Sequence, residues 1–436
     1  MRRRRVVVTG LGVVAPNGHG LAAFARALHQ GRSGLSRQEQ LAPLNFACQV
    51  AGVPADVDGL RERYFAPDDR LAMNSAMTFA NVAALDAWRD AGLPPPGEHR
   101  DPDTGAIIGS GLGGADTVGE KIVPMTNAGK VRRMGSTMIE QAMASCVSAK
   151  TAGLLALGNQ VTTNSSACTT GAEAVVMAAE RIGAGLAERM LAGGAESTSH
   201  FVWAGFDAMR VLNRAHNDQP ERASRPLSAS AGGFIPAAGA GVLLLESLES
   251  AEGRGARIYA EVLGGVINCG GHRDGGSMTA PNAGAVQDCI RTAVRDAGIV
   301  PGDIDAINGH LTGTFADPLE VKNWSRALEL APERMPLVNA TKSMIGHGLG
   351  AAGSMELVGV VLQLHHGFVH GSINCEDLHP ELAAFEARIP RVSVEPERLD
   401  IFAKASFGFG DVNACVVLRR WPATERVALP KESQDG

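Results

Sequence analysis

Four side chains carry the chemistry this chain could perform: Cys168, His310, His347 and Lys342, each in a turn rich in glycine or hydroxyl residues. Cys168 follows Asn164-Ser165-Ser166-Ala167 and precedes Thr169-Thr170-Gly171. A strand-like segment, Gln160 to Thr163, lies before it, and a helical pattern, Ala172 to Ile182, lies after it. The cysteine is therefore expected at a sharp strand-to-helix turn, where unpaired N–H groups and the helix dipole favour a thiolate nucleophile. His310 lies in Asn308-Gly309-His310-Leu311-Thr312-Gly313-Thr314, and His347 follows Thr341-Lys342-Ser343-Met344-Ile345-Gly346. Histidine can donate or accept a proton near neutrality. Taken singly, each residue has an ordinary reading: a buried thiol, a satisfied core histidine, a lysine laying its stem along apolar surface. The other histidines, His365, His366 and His370 among them, lack comparable glycine-lined surroundings, apart from His272, and are background.

The elements that must position these residues read as two copies of one unit. Ala87-Trp88-Arg89-Asp90-Ala91-Gly92-Leu93 precedes a strand-like Thr104 to Gly111. Ala293-Val294-Arg295-Asp296-Ala297-Gly298-Ile299 precedes a strand-like Ile304 to His310. Cys168 and its helix precede Met190 to Ala195, as His347 and its helix precede Ile401 to Phe407. The alternation predicts an α/β fold of duplicated mixed-sheet and helix layers. An N-terminal half, residues 1–250, would carry the cysteine, with an insertion at about 115–148. A C-terminal half, residues 251–422, would carry both histidines, and 423–436 would be a polar, frayed tail. The division falls near Leu244 to Ile258, read as helix before a new strand, Tyr259 to Leu263. Opposed strand ends would bring Cys168, His310 and His347 together at the junction.

Composition narrows the function. The chain has 436 residues, 45% hydrophobic and 20% charged, enough for two or more cores. A net charge of −6 argues against a nucleic-acid partner. The seven cysteines show no paired framework, which points to a reducing, cytoplasmic setting without structural zinc. The arginines of Met1 to Arg5 precede a short, β-branched, glycine-broken run, read as a first core strand with a solvated basic start rather than a leader. No apolar run reaches the ~18 residues of a membrane span. No metal cluster or nucleotide loop is evident.

Together the Ser-Ala-Cys turn ending at Cys168, the His310-x-Thr312-x-Thr314 loop, and Thr341-Lys342-Ser343-Met344-x-Gly346-His347 resemble the elongating Cys-His-His β-ketoacyl-[acyl-carrier-protein] synthases. The similarity runs from Val6 to Gly410. It implies a thiolase-like αβαβα fold, an acyltransferase activity, and a decarboxylative Claisen condensation of malonyl carrier with a Cys168-bound acyl chain. The backbone N–H groups of Cys168 and Phe409 would form an oxyanion hole. His310 and His347 would donate to the malonyl thioester oxygen, kept neutral by Lys342, with Glu356 pairing that lysine. Thr312 and Thr314 would grip the phosphopantetheine arm; Leu112, Phe407 and Phe409 would line the acyl pocket. The arm is carried by an acyl carrier protein, so no bound cofactor is expected. Lys130, Arg132, Arg133 and Arg214 would dock that acidic partner. A homodimer is implied, and a heterodimer with a homologous subunit stays open.

Three departures point to a specialised pathway, of polyketide or polyene type, rather than to housekeeping fatty-acid synthesis. Four positions that usually carry charge read Ser228, Ala231, Gly232 and Ala238. Leu311, Gly313 and Phe315 replace the usual residues of the histidine loop. Asp411 replaces a glycine beside the oxyanion loop, a costly change at positive φ unless its side chain finds a partner. Two other readings remain: a non-elongating partner subunit that shapes chain length, or a decarboxylase only. A thiolase would need a second acidic cysteine, and the late candidate, Cys415, reads as part of a buried strand.

Overall fold

A computed structural model describes residues 3–421 and 426–430. The first strand, β1 (Val6–Ala15), opens on three valines and is buried along its whole length, as a strand covered on both faces should be. Four further strands complete the first half: β2 (Thr104–Gly109), β3 (Val161–Thr162), β4 (Arg189–Glu196) and β5 (Gly239–Ser247). The second half holds β6 (Ala260–Cys269), β7 (Ala306–Asn308), β8 (Leu337–Asn339), β9 (Ile401–Gly408) and β10 (Val412–Arg420).

The halves repeat one pairing scheme. In the first the order is β3-β2-β4-β5-β1, and in the second β8-β7-β9-β10-β6. In each, the first three strands are parallel and the last two pair antiparallel. They join into one eleven-stranded sheet through β1 and β6, which pair over Val6 to Val8 against Ala260 to Val262; the eleventh strand, Gly18–His19, pairs only with β1.

The helices repeat as well. α1 (Ser75–Asp90), α2 (Cys146–Leu155) and α3 (Thr170–Gly183) serve the first half; α4 (Ala283–Asp296), α5 (Asp317–Leu328) and α6 (Ala352–His366) serve the second. Asn74 and Asn282 cap α1 and α4, accepting from the N–H of Met77 and of Ala285. α1 and α2 cover the outer face of the first half and α4 that of the second, whereas α3 and α6 touch strands of both. They form the central layer, packed into the largest apolar cluster.

The central helices meet through glycines. A Cβ on Gly171 of α3 would lie 2.6 Å from the Ser354 nitrogen, and one on Gly353 of α6 would lie 2.7 Å from the Ala172 nitrogen. Only the absence of a side chain permits that approach. It sets the N-termini of α3 and α6 side by side, and Cys168 and His347 lie just ahead of them.

Several expectations are corrected. Leu244 to Ser247 finish β5, and only Leu248–Gly253 is helical before β6. The arginines at the start stay solvated, as expected, and each also has a partner: Arg3 with Asp296, Arg4 with Glu188 and Arg5 with Glu261. Of the expected frayed tail, residues 426–430 are pinned. Arg426 donates to the carbonyls of Pro396 and Glu397, and Val427 donates to that of His365. The rest of 423–436 lies outside the described residues. The stretch 115–148 is a run of short helical turns with many exposed residues.

Gly353→Ala is expected to lower stability by about 3 kcal/mol and to reduce activity with it, because the added methyl must push α3 and α6 apart. Denaturant titration beside an assay of the variant checks this, and an unchanged midpoint would mean that the contact relaxes freely.

Candidate active site

Cys168 occupies a 3-10 turn, Ala167–Thr169, between β3 and α3, with Ala167 in the left-handed region at φ 49°. Local hydroxyls hold this turn. The Ser166 N–H donates to Thr170 Oγ1, Thr169 Oγ1 to the Ser166 carbonyl, and Thr170 Oγ1 to the Ala167 carbonyl. Glu173 accepts from Ser166 Oγ and from Asn164 Nδ2. Gly408, at the end of β9, lies so close that a Cβ there would be 3.1 Å from the Cys168 nitrogen, which brings the following Phe409 N–H toward the same thiol.

His347 Nε2 is 3.0 Å from Cys168 Sγ. His347 Nδ1 accepts the Leu349 N–H at 3.2 Å, so the ring proton of the neutral side chain sits on Nε2 and points at the sulfur. His310 stands edge-on to His347, ring centroids 5.3 Å apart, and its Nδ1 is buried with no hydrogen-bond partner among the described residues. One donor atom each from Cys168, His310 and His347 lies within 4.8 Å of the others. Such spacing would also suit a metal ion, but two buried ammonium groups close by oppose bringing in another cation.

Those ammoniums belong to Lys342 and Lys404. Lys342 Nζ donates to Glu356 Oε1 at 2.5 Å and to the His310 carbonyl at 2.6 Å. Lys404 Nζ lies 2.8 Å from Glu356 Oε2 and also donates to Ser406 Oγ. All three are fully buried. Burial first, then the charge on Lys342, holds both histidines well below their ordinary pKa, so both stay neutral donors. Cys168 behaves differently from the expectation of a ready thiolate. Although the residue keeps some solvent access, burial of its surroundings pushes the thiol up to about 11, outweighing Lys342 and the Phe409 N–H. The resting nucleophile is a thiol.

Two buried acids tie the loops together. Glu196, at the end of β4, accepts the N–H groups of Gly111, Leu112 and Gly350 and so joins the two halves beside the thiol. Glu320, on α5, accepts the N–H groups of His310 and Leu311 and is pushed up to about 7 by burial. An aromatic wall of Phe206, Phe234 and Phe409 borders His347.

Of the wall residues the sequence pointed only to Phe409; Lys404, Glu196, Glu320, Phe206 and Phe234 were not singled out. A lysine inside the apolar strand Ile401 to Phe407 was the available signal for Lys404.

Two of the departures are compensated locally. Asp411 does take φ 60°, and its carboxylate accepts the N–H groups of His272 and Asn282, so it faces the 270–282 loop. Around Ser228, where charges were expected, acids come from another segment. Asp377 accepts from Ser228 Oγ, the Ser230 N–H and Arg225 Nη2, and Glu376 also pairs with the buried Arg225. Phe315 is 92% exposed.

The remaining expected residues lie further out. The Thr312 and Thr314 hydroxyls are 3.1 Å apart and half-buried. Phe407 is buried near His310, whereas Leu112 is 47% exposed in a single chain. Lys130, Arg132 and Arg133 line an open recess in the insertion; they and Arg214 are exposed and make no ion pair among the described residues. Cys415 is buried in β10, away from solvent.

Comparison with known proteins agrees with this geometry. Residues 3–251 match the family model "Beta-ketoacyl synthase, N-terminal domain", and 259–376 match "Beta-ketoacyl synthase, C-terminal domain". The chain is 35% identical to the 3-oxoacyl-[acyl-carrier-protein] synthase 2 of Vibrio cholerae, over 96% of its length and all of that protein. Among solved structures it is similar to the ishigamide ketosynthase/chain length factor, with a TM-score of 0.85 and 31% identity over 96% of this chain and all of that one. It is also similar to AntDE:AntF, a type II PKS acyl-carrier protein in complex with its ketosynthase bound to the hexaketide. There the TM-score is 0.85 and the identity 28%, over 96% of this chain and all of that one.

Alkylation of Cys168 by iodoacetamide should keep accelerating beyond pH 9, toward a midpoint of about 11. A midpoint near 7 would mean that the dipole and His347 outweigh burial. Both histidines have depressed pKa values, so their neutral form persists as pH falls through 6.5 and is lost only well below it. The pH–rate profile is therefore expected to stay flat on its acid side through pH 6.5.

Proposed function

The chain belongs to the β-ketoacyl synthase family of acyltransferases, and from that premise we propose that it condenses malonyl carrier with an acyl chain held on Cys168. The observation that carries this reading is the His347 Nε2–H directed at Cys168 Sγ, beside a second neutral histidine above a buried Lys342–Glu356 pair. Such a site offers a nucleophile and two hydrogen-bond donors, and no base strong enough for direct proton abstraction from carbon.

In the first half-reaction, Cys168 Sγ attacks the acyl thioester carbonyl. The N–H groups of Cys168 and Phe409 receive the oxyanion. The carbon–sulfur bond to the carrier arm breaks, and the arm leaves as a thiol with the proton given up by Cys168. In the second, the bond to the malonyl carboxylate breaks and carbon dioxide departs. The electron pair becomes an enolate whose oxygen accepts from His310 and His347. The enolate carbon then attacks the Cys168 thioester, Sγ leaves with the electron pair as a thiolate and takes a proton from solvent to regain the resting thiol, and a 3-oxoacyl thioester remains on the carrier. Thr312 and Thr314 hold the arm, and Leu112, Phe407 and Phe409 border the acyl chain.

The finer reading is a specialised pathway of polyketide or polyene type. Its support is the altered histidine loop with exposed Phe315, the rebuilt Arg225 network, and the likeness to two polyketide-type structures. The partner is an acidic carrier protein, met by Lys130, Arg132, Arg133 and Arg214. A second copy of the chain would cover Leu112 and the exposed Val131 and Ile139 of the insertion. The likeness to a ketosynthase/chain length factor supports a homologous subunit as the alternative in that place.

Mass spectrometry after incubation with acyl carriers of several lengths tests the central reading. An adduct on Cys168 that is discharged by malonyl carrier, with 3-oxoacyl product, is expected. No adduct, or carbon dioxide without product, would overturn it in favour of a partner subunit or a decarboxylase. Charge reversal at Lys130, Arg132 and Arg133 together should raise KM for the carrier roughly tenfold or more with kcat little changed, most strongly at low salt. An unchanged KM would remove that patch from the docking surface.

A further inference from the structure

Lys404 has no role in the scheme above, yet it is one of the largest fully buried side chains of the molecule. It sits mid-strand in β9, in register with Asn308 of β7, two residues before His310, and with Val416 of β10. Its Nζ lies 2.8 Å from Glu356 Oε2, while Lys342 Nζ lies 2.5 Å from Oε1. One carboxylate thus stands between two ammonium groups.

A buried lysine–glutamate pair is neutral as a unit, and its field falls off quickly. Adding a second lysine leaves a net positive charge in a place where burying charge is costly. Burial depresses the Lys404 pKa, and Lys342 adds to that, while Glu356 opposes both. Within β9 the ammonium meets only neutral acceptors, the Ala405 carbonyl and Ser406 Oγ, neither of which calls for a full charge. The beneficiaries of the extra charge are the two histidines nearby, on both of which Lys404 acts in the same direction as Lys342.

We propose that Lys404 is a positioning residue for the reaction: sharing Glu356 with Lys342, it makes the buried cluster cationic, which holds His310 and His347 as neutral donors and strengthens their grip on the developing enolate oxygen. This rests on the condensing reading for its purpose and not for its electrostatics. The groups facing the histidines are Cys168 before α3, Glu196 on β4, Asp317 and Glu320 on α5, Lys342 and Glu356 around the start of α6, and Lys404 on β9. Of these, only the two lysines bring positive charge.

The test is Lys404→Met, with Lys404→Gln should the first fail to fold and Lys404→Arg to restore charge. Titration of isotope-labelled histidines by NMR, with His310 and His347 assigned through single His→Asn variants, reads their protonation directly and needs no turnover. Both pKa values should rise by about one unit in Lys404→Met, and the acid limb of malonyl-carrier decarboxylation should move up with them, roughly a tenfold loss of rate on that side. Lys404→Arg should bring the limb back. Folded Met and Gln variants with unmoved histidine titrations and an unmoved acid limb would overturn the proposal. Histidines that move in a protein that never forms 3-oxoacyl product would sink the condensing reading and leave the electrostatic role of Lys404 standing.

Discussion

The close crossing of α3 and α6 is the constraint from which the rest follows. Glycine on each helix lets backbone meet backbone, and that sets the N-terminal turns of two separate halves against each other. The nucleophile comes from one turn and a hydrogen-bond donor from the other. A 3.0 Å contact between residues 179 apart in sequence then needs no flexible loop to bring it about. Glu196 adds a second tie, accepting N–H groups from loops of both halves beside the same sulfur.

Around this frame, burial decides the electrostatics. It pushes the Cys168 thiol up and both histidines down, against or alongside the lysine charges. A site built this way keeps its thiol and both histidines uncharged until substrate arrives. Proton movement is then confined to the steps in which Cys168 Sγ attacks and leaves, and the histidines act as donors and not as bases. The same economy is visible at Asp411, a charge that looks misplaced in sequence, and at the buried Arg225, both of which are met by partners from a distant segment.

Much of this was legible in the sequence because the informative signals are local. Glycine-lined turns around Cys168 and His347, apolar strands before them and the echoed helix–strand pairs are all read within a few residues. What escaped is long-range. Asp377 lies about 150 residues from the arginine it neutralises, in a segment without a motif. Lys404 is separated by 48 residues from the carboxylate it shares with Lys342 and looks like an interruption in a strand. The raised thiol pKa was misjudged for a related reason: the helix terminus is visible in sequence, whereas the packing that desolvates the sulfur is not. The expected fraying of the tail was misjudged similarly, since Arg426 finds its partners in the carbonyls of Pro396 and Glu397, a separate segment.

The place of β1 has a consequence for biosynthesis. Of the sheet's strands it is the first to be made, yet it lies at the centre of the sheet, between β5 and β6. Its partners begin at Gly239 and Ala260, so well over half of the chain must be made before its edges are covered. Until then a ten-residue, largely apolar strand waits with only Val14 and Ala15 paired, to His19 and Gly18, and pairing across such separations is slow. During synthesis β1 is therefore an aggregation hazard, and Arg3, Arg4 and Arg5 beside it are charges of the kind that guard such a strand.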